Sequence, residues 1–136
     1  MANTTEIGNV TEGAVLAALM RTGKVVLVPF GLQADYDLVF EQDGAFHRVQ
    51  CKTGKLLENG TIRFNTYTVK HLDGKYKNVT YGDRIQFYGV FCPQTQEVYL
   101  VPAKHVGDKT MGFLRVTATA NGQVKGVMWA KEYLLG

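Results

Sequence analysis

The chain opens with apolar positions at helical spacing and then changes to the pattern of β-strands. Apolar side chains recur every three or four residues across 10–21, which predicts a helix that ends before Gly23. The run 24–30 is apolar and rich in β-branched residues, which predicts a first strand ending near Pro29. The sequence therefore begins with a helix followed by a strand.

The clearest pattern surrounds Asp43-Gly44, which separates two runs of β-branched, aromatic and apolar residues at 35–42 and 45–52. Both turn residues tolerate the positive φ of a type I′ turn, so the sequence predicts a tight β-hairpin. With two residues in the loop, Gln42 faces Ala45 and the register of the whole hairpin follows.

This register places polar side chains together on one face of the hairpin. Asp37 would lie opposite Gln50 and Asp35 opposite Lys52, with directly opposed Cβ atoms about 4.5–5.5 Å apart. A carboxylate, an amide and an ammonium on one patch could hold a hard cation and a water. We expect Asp35 to pair with Lys52 or to serve as a turn residue.

The remaining elements follow from turn signals. We predict a strand at 61–64, a hairpin from 84–92 and 97–101, a helical turn after Pro102, and a hairpin from 111–116 and 123–129 around Asn121-Gly122. Between 65 and 82 the pattern fades, and we expect a turn at Asp73-Gly74 and the start of a helix.

Length and composition narrow the class of protein. The 136 residues predict one domain over 1–136, and no apolar run approaches the roughly 18 residues of a membrane span. The N-terminus lacks the basic and apolar regions of a signal peptide. The two cysteines, Cys51 and Cys92, lie in predicted strands without paired spacing, which favours a reduced, intracellular protein and argues against a zinc site.

Basic residues concentrate in one part of the chain. Residues 52–84 hold seven Lys or Arg against three Asp or Glu, whereas the rest holds eight against nine. This excess has two interpretations, a solvated loop region or a surface for a polyanion. The aromatic residues between these bases suit a nucleic acid.

Glu12 lies on the apolar stripe of the first helix, where a charged carboxylate is unusual and indicates a specific structural or functional role. It could complete a capping box with Asn9, or it could point over the hairpin and join Asp37 at a metal. Spacing alone favours the cap. Other catalysts fit poorly, because His47, His71 and His105 have no triad or metal spacing and no phosphate-binding glycine loop occurs.

The order of three features resembles the core of the PD-(D/E)XK nucleases: an acidic residue in a strand, a short hairpin, and then Gln50-Cys51-Lys52. Asp37 matches the first acid, and Gln50 stands where Asp or Glu is usual. Four segments are similar to the branch of this family found in group I intron-encoded homing endonucleases. They are Tyr-Asp-Leu-Val, Arg-Val-Gln-Cys-Lys-Thr, the earlier Gly-Asn-Val-Thr-Glu-Gly and the later Tyr-Leu-Val-Pro. The resemblance covers most of 8–135.

The resemblance implies an α/β (α+β) fold with a restriction-endonuclease-like core, a mixed sheet flanked by helices. It implies a Mg²⁺-dependent endonuclease, with Mn²⁺ as an alternative ion, that cuts double-stranded DNA at a specific site in a prokaryotic or phage context. The implied catalytic residues are Glu12, Asp37, Gln50 and Lys52. The first three and the backbone carbonyl of Cys51 would bind the metal, and Lys52 would hold the attacking water. Where the family often has an Asp, this chain has Gln86.

The implied partners are DNA and further copies of the chain. The basic residues expected to contact DNA are Lys55, Arg63, Lys70, Lys75, Lys77 and Arg84. Cleavage of both strands would need a dimer or a tetramer. The apolar residues expected at its subunit contact are Phe113, Leu114, Val127, Met128, Trp129 and Leu134. Two alternatives stay open, a DNA-binding protein that no longer cuts, because Gln50 and Gln86 replace acids, and a nuclease similar to Holliday-junction resolvases.

Overall fold

A computed structural model describes residues 3–31, 33–119 and 121–135 of the chain. Its helices are α1 (Thr4–Arg21) and α2 (Ala103–Val106), with 3-10 turns at Gly82–Arg84 and Ala130–Glu132. Its strands are β1 (Val25–Leu27), β2 (Leu38–Gln42), β3 (Ala45–Thr53), β4 (Lys55–Leu56), β5 (Thr61–Asn65), β6 (Tyr67–Leu72), β7 (Lys75–Thr80), β8 (Phe87–Cys92), β9 (Glu97–Pro102) and β10 (Met111–Arg115). The helical turn after Pro102 is confirmed as α2.

Helix α1 begins earlier than its apolar stripe predicts. Asn3 caps it, because the side-chain oxygen of Asn3 accepts the N–H of Glu6 at 2.8 Å. Of the two interpretations of Glu12, the capping box with Asn9 is therefore wrong, because both residues lie in the helix interior. Along the described residues, no helix has the length and apolar content needed to cross a membrane.

The central sheet has five strands in the order β1-β2-β3-β8-β9. Neighbouring strands are antiparallel, apart from β3 and β8, which run parallel. A three-stranded sheet in the order β10-β5-β4 and a two-stranded sheet of β6 and β7 accompany it. A mixed sheet with a helix against it confirms the predicted α/β (α+β) class.

Apolar side chains cover both faces of the central sheet. On one face α1 packs tightly, because Val15 lies over Gly89, where an added Cβ would be 2.6 Å from the Val15 Cγ1 atom. On the other face Tyr88 and Val90 join a buried cluster with Phe64 and Leu114 of the three-stranded sheet. The strands in the middle of the central sheet are thus fixed from both sides.

The hairpin of β2 and β3 has the predicted turn. Asp43 and Gly44 have φ angles of 53° and 80°, and Gln42 pairs with Ala45, so the predicted register is confirmed up to the pair of Leu38 with Val49. Beyond this pair the prediction is wrong, because regular pairing of β2 ends there.

The stretch between 65 and 82 contains a second hairpin, so the expected helix start is wrong. Strands β6 and β7 pair from Tyr67–Thr80 to Leu72–Lys75 around the predicted turn, where Asp73 and Gly74 have φ angles of 51° and 77°. Most of its side chains are exposed on both faces, so no alternation of buried and exposed positions marks the strands.

The predicted hairpin around Asn121-Gly122 is also wrong. Strand β10 pairs antiparallel with β5 rather than with the segment that follows Gly122. Trp129 makes only an isolated parallel bridge to Arg115. The turn signal itself is real, because Gly122 has a φ of 72°, but the residues after it do not form a strand.

Candidate active site

Asp37 lies at a β-bulge where β2 meets the central strand β3. Its N–H donates to the Val49 carbonyl at 2.9 Å, although Val49 already pairs with Leu38, so two residues of this segment oppose one residue of β3. The Asp37 carboxylate accepts the N–H of Cys51 at 2.9 Å. The bulge therefore fixes the acid against β3, one residue away from Lys52.

Glu12 reaches the same place from α1. Burial and the neighbouring charge of Asp37 raise the pKa of Glu12. Burial also raises the pKa of Asp37, although the Cys51 N–H and the charge of Lys52 oppose that shift. Both acids line a cleft of about 290 Å³ with Val28, Pro29, Gly31, Ala34 and Tyr36. Two carboxylates with raised pKa values thus line one cleft.

Gln50 and Cys51 follow Val49 in β3. Gln50 pairs with Tyr88 and lies on the face of the sheet opposite α1, as does Lys52. The N–H of Cys51 points to the β2 side of β3, where it meets Asp37, so its carbonyl points to that side too. Because the β2 ladder ends at Val49, this carbonyl lies beyond the paired region. The Cys51 thiol is buried among the residues that pack against α1, and burial raises its pKa.

Lys52 has two fixed acceptors. Its Nζ donates to the Tyr67 carbonyl at 3.0 Å and to the Tyr81 hydroxyl at 2.9 Å. Burial lowers the pKa of Lys52 to about 8, although the negative charge of Asp37 opposes the shift. The ammonium is therefore half-buried and held in place, close enough to Asp37 for their charges to interact.

The expectation that Asp35 pairs with Lys52 is wrong. The Asp35 carboxylate binds the Arg84 guanidinium at 2.9 Å and the Lys70 ammonium at 3.4 Å. Burial would raise the pKa of Asp35, but the hydrogen bonds and charges of Arg84 and Lys70 outweigh it and lower the pKa. The physical reason is the bulge at Asp37, which ends the regular pairing that would have carried Asp35 across from Lys52.

The donors fit a hard divalent cation. Asp37 and Glu12 offer carboxylate oxygens, Gln50 a neutral amide oxygen, and Cys51 a backbone carbonyl, and oxygen ligands are those that Mg²⁺ prefers. Burial raises the pKa of both acids, so their charged forms are poorly solvated in the folded chain, and a bound cation would stabilise those charged forms. Within the described residues no cluster of three His, Cys, Asp or Glu exists that could hold a metal. Gln50, next to Cys51 in β3, offers its amide oxygen from the face of the sheet opposite α1.

The predicted DNA-contacting residues fall on separate elements. Lys70 and Lys77 are cross-strand partners in the β6–β7 hairpin, and Lys75 lies on the same face by strand alternation. Lys55 and Arg63 are partners in the three-stranded sheet, and both are exposed. The hairpin face and the β4–β5 pair are therefore two distinct basic surfaces.

Arg84, the sixth predicted DNA contact, already has protein partners. Its guanidinium donates to the carbonyls of Tyr81 and Thr80 at 2.9 and 2.6 Å, in addition to its ion pair with Asp35. A phosphate would have to compete with these groups. Arg84 thus has a structural role, joining the end of β7 to the segment that leads into the site.

Two roles near the site were missing from the sequence interpretation. Tyr81 counts in the sequence only as an aromatic residue between bases, yet it is 3% exposed and holds Lys52. Gln86, where the sequence resemblance implies an Asp, accepts the Arg48 N–H at 2.8 Å and its Nε–H at 3.2 Å. No local sequence signal distinguishes these contacts, because each joins segments more than 25 residues apart.

Comparison with known proteins identifies the family and a similar fold. The chain matches the PD-(D/E)XK endonuclease family over residues 2–135 and therefore belongs to that family. Its fold is similar to the structure of a bacterial homing endonuclease, I-Ssp6803I, with a TM-score of 0.78 and 19% sequence identity over 98% of this chain and 89% of that chain. A comparison with curated proteins gave no match. The chain is thus a nuclease of the PD-(D/E)XK family.

Proposed function

We propose that this protein is a metal-dependent endonuclease that cuts double-stranded DNA at specific sites, as a homing endonuclease does. The observation that carries the proposal is the position of Asp37, which shares a cleft with Glu12 and interacts electrostatically with Lys52. The two acids have raised pKa values, and the lysine is held by two acceptors. Family membership supplies the nuclease class, and the name of the similar structure supplies the homing comparison.

In this proposal Asp37, Glu12, Gln50 and the Cys51 carbonyl hold Mg²⁺, or Mn²⁺ in its place. The bound ion would steady the charge of the phosphate and promote hydroxide formation near neutral pH. Asp37 is suited to its role because the Cys51 N–H orients its carboxylate before any ion binds. Glu12 supplies the second negative charge, which the neutral Gln50 does not.

Lys52 acts on the water and on the phosphate. Its ammonium donates a hydrogen bond to the attacking water or to a phosphate oxygen, and its positive charge offsets the charge that develops there. Burial lowers the pKa of Lys52 to about 8, which brings it nearer to neutral pH and so suits proton transfer. The charge of Asp37 favours the protonated form.

The DNA partner would bind along the basic surfaces of residues 52–84. The hairpin face with Lys70, Lys75 and Lys77 joins the site through the ion pair of Lys70 with Asp35. A two-stranded ribbon fits the major groove of B-DNA, which is about 12 Å wide. Each active site would cut one strand, so specific double-strand cleavage requires the chain to assemble as a dimer or a tetramer.

The test is a plasmid-cleavage assay with Asp37→Ala and Lys52→Ala, with and without Mg²⁺. We expect each variant to lose cleavage by at least about 100-fold, while gel-shift binding of DNA is retained. Glu97→Ala and Lys104→Ala are matched controls, because both residues are exposed and lie on other elements. Cleavage at the parental rate by either site variant would disprove the assignment.

The alternative of a DNA-binding protein that does not cut has one observation in its favour. Gln50 and Gln86 stand where acids are usual, and Gln86 binds Arg48 instead of facing a metal. The same assay separates the two functions. A purified chain that binds DNA but leaves it intact with Mg²⁺ and with Mn²⁺ would favour the binding protein, whereas nicking that needs the ion favours the nuclease.

A further inference from the structure

The Lys52 ammonium has a defined hydrogen-bond geometry before any substrate binds. An ammonium has three N–H donors. Two are used by the Tyr67 carbonyl at 3.0 Å and the Tyr81 hydroxyl at 2.9 Å. The Nζ also lies 5.0 Å from the centre of the Tyr81 ring, within cation–π range. One donor is left for a water or a phosphate oxygen, and its direction is set by the other two.

Both acceptors come from the open end of the β6–β7 hairpin. Tyr67 begins β6 and pairs with Thr80, the last residue of β7, and Tyr81 follows directly. This end of the hairpin therefore lies over Lys52, while the turn at Asp73-Gly74 lies at the far end of the ribbon.

Tyr81 is itself fixed from several directions. It is 3% exposed, and its ring packs against Tyr88 with centroids 6.0 Å apart. The Arg84 guanidinium lies 5.8 Å from the ring centre and donates to the Tyr81 carbonyl, while Asp35 holds the guanidinium at 2.9 Å. A connected series of contacts thus runs from Asp35 through Arg84 and Tyr81 to Lys52.

We propose that Tyr81 is a positioning residue that aims the Lys52 ammonium into the site, with Arg84 and Asp35 holding Tyr81 in turn. This inference rests on the proposed nuclease function. A lysine side chain has four rotatable bonds, so a free ammonium would sample many positions beside Asp37. The two acceptors remove that freedom, which keeps the third donor in the orientation that cleavage needs.

Tyr81→Phe removes the hydroxyl and keeps the ring. We expect the single-turnover cleavage rate at saturating DNA and Mg²⁺ to fall about 10- to 100-fold, while the Kd for DNA changes less than about 2-fold. The matched control is Tyr99→Phe. Tyr99 is buried in the same cluster, but its hydroxyl lies 3.2 Å from the Thr95 hydroxyl and has no contact with Lys52. This control should cut at the parental rate.

Two further measurements separate positioning from a general structural effect. NMR order parameters of the Lys52 ε-methylene, measured without metal or DNA, should fall in Tyr81→Phe and stay unchanged in Tyr99→Phe. In the Lys52→Ala background, Tyr81→Phe should add no further loss of cleavage, because its effect passes through the lysine. Asp35→Asn changes a half-exposed side chain and should give a smaller fall in rate with the chain still folded.

The failures are distinguishable. If Lys52→Ala is inactive but both Tyr81→Phe and Asp35→Asn cut at the parental rate, the positioning role is wrong and the nuclease proposal stands. An unchanged order parameter in Tyr81→Phe would also overturn the positioning role. If Lys52→Ala itself cuts at the parental rate, the proposed active site is wrong, and the inference fails with it.

Discussion

The carboxylate of Asp37 accepts the N–H of Cys51 at 2.9 Å, so the acid before the hairpin is bound directly to the residue between Gln50 and Lys52. This hydrogen bond lowers the pKa of Asp37, as the charge of Lys52 does, but burial raises it by more. The charged form of Asp37 is therefore less favourable in the folded chain than in the unfolded chain, unless a cation is bound.

Asp37→Asn should stabilise the metal-free protein. A carboxyl whose pKa is raised by folding contributes stability below its ordinary pKa of about 4, and this contribution is lost as pH rises through the raised pKa. The amide keeps an acceptor for the Cys51 N–H and has no charge. We expect the variant and the parent to melt together at about pH 4 and below, and the variant to melt higher at neutral pH.

Millimolar Mg²⁺ should reverse this order. A ligand that binds only the folded state raises the melting temperature, so the parent should gain stability with Mg²⁺ and Asp37→Asn should gain much less. Asp108→Asn is the control, because Asp108 is an exposed acid on the loop after α2. An equal response of parent and Asp37→Asn to the ion would contradict a metal site at Asp37.

Gln50→Glu adds the third acid that the site lacks. The new carboxylate would supply a charged oxygen ligand, and its charge two residues before Lys52 would raise the pKa of Asp37 further. We expect cleavage to be retained, with the half-saturating Mg²⁺ concentration lowered by about 10-fold, and the metal-free protein to melt lower. Gln42→Glu, at the exposed far end of the hairpin, should change neither the half-saturating Mg²⁺ concentration nor the melting temperature. Loss of cleavage with every divalent ion would show that the amide has a role of its own.

The parts of the site set by local chemistry could be predicted from the sequence. Asp43-Gly44 fixed the turn and the register up to Val49, and strand alternation then put Gln50 and Lys52 on one face. The bulge at Asp37 could not be predicted, because no glycine or proline marks it. The partners of Asp35 could not be predicted either, since Arg84 and Lys70 reach it through the tertiary fold.

The start of α1 and the β6–β7 hairpin were missed for a related reason. An apolar stripe marks only the part of a helix that packs, and the first turn of α1, from Thr4, lies outside that part. The hairpin is exposed on both faces, so its sequence does not alternate between apolar and polar residues as a strand with one buried face does. Elements stabilised by caps and backbone pairing leave weaker patterns than elements stabilised by burial.

Two glycines test how closely α1 must approach the sheet. In Gly89→Ala the new Cβ would lie 2.6 Å from Val15 Cγ1 and 3.1 Å from Val49 Cγ1, so Val15 or the helix that carries it must shift. We expect a loss of about 1–3 kcal/mol in the free energy of unfolding, and slower cleavage, because α1 carries Glu12. Gly13→Ala is the matched control within α1, with no atom within 4 Å of the new Cβ. It should gain about 0.5–1 kcal/mol. Urea unfolding measures both, and a stable Gly89→Ala would disprove the tight packing.

Lys75 and Lys77 should contact phosphates. Both lie on the hairpin face that carries Lys70, and neither has an ion pair among the described residues. In Lys75→Ala/Lys77→Ala we expect weaker DNA binding and a salt dependence shallower by up to about 1.8, since each neutralised phosphate contributes a slope of about 0.9. Lys104→Ala/Lys131→Ala removes two exposed lysines from other elements and should leave the slope unchanged. An unchanged slope in the hairpin variant would place the DNA elsewhere.

One residue of the predicted subunit contact lies in the core. Leu114 is fully buried and belongs to the core, so its place in the predicted subunit contact is wrong. Phe113 is 47% exposed, but its strand partner is Arg63, which lies beside Lys55. This row therefore holds one apolar side chain and two charges.

A more apolar surface lies at the β1 edge of the central sheet. Val25 pairs with Glu41, and Glu41 pairs with Phe46, so the three side chains share one face, opposite α1. Val25 is 59% exposed and Phe46 is 60% exposed. A two-fold axis would set this patch against its copy and bury both apolar side chains. This row has two exposed apolar side chains and one charge, whereas the row of Phe113 has one apolar side chain and two charges, so it is a better candidate for the contact than the face of Phe113.

Phe46→Asp should therefore weaken self-association, because in a symmetric contact it places two negative charges against apolar surface near Glu41. We expect light scattering at micromolar concentration to show a dimer or larger assembly for the parent and a smaller species for Phe46→Asp. Phe113→Asp, which changes an equally large exposed side chain on the other sheet, should assemble like the parent. Because Phe46 is exposed, Phe46→Asp and the parent should have the same melting temperature when both are measured at a concentration too low for assembly. Loss of assembly in Phe113→Asp alone would place the contact at the segment that was predicted from the sequence. A monomeric parent that still makes double-strand breaks would disprove assembly as the basis of cleavage.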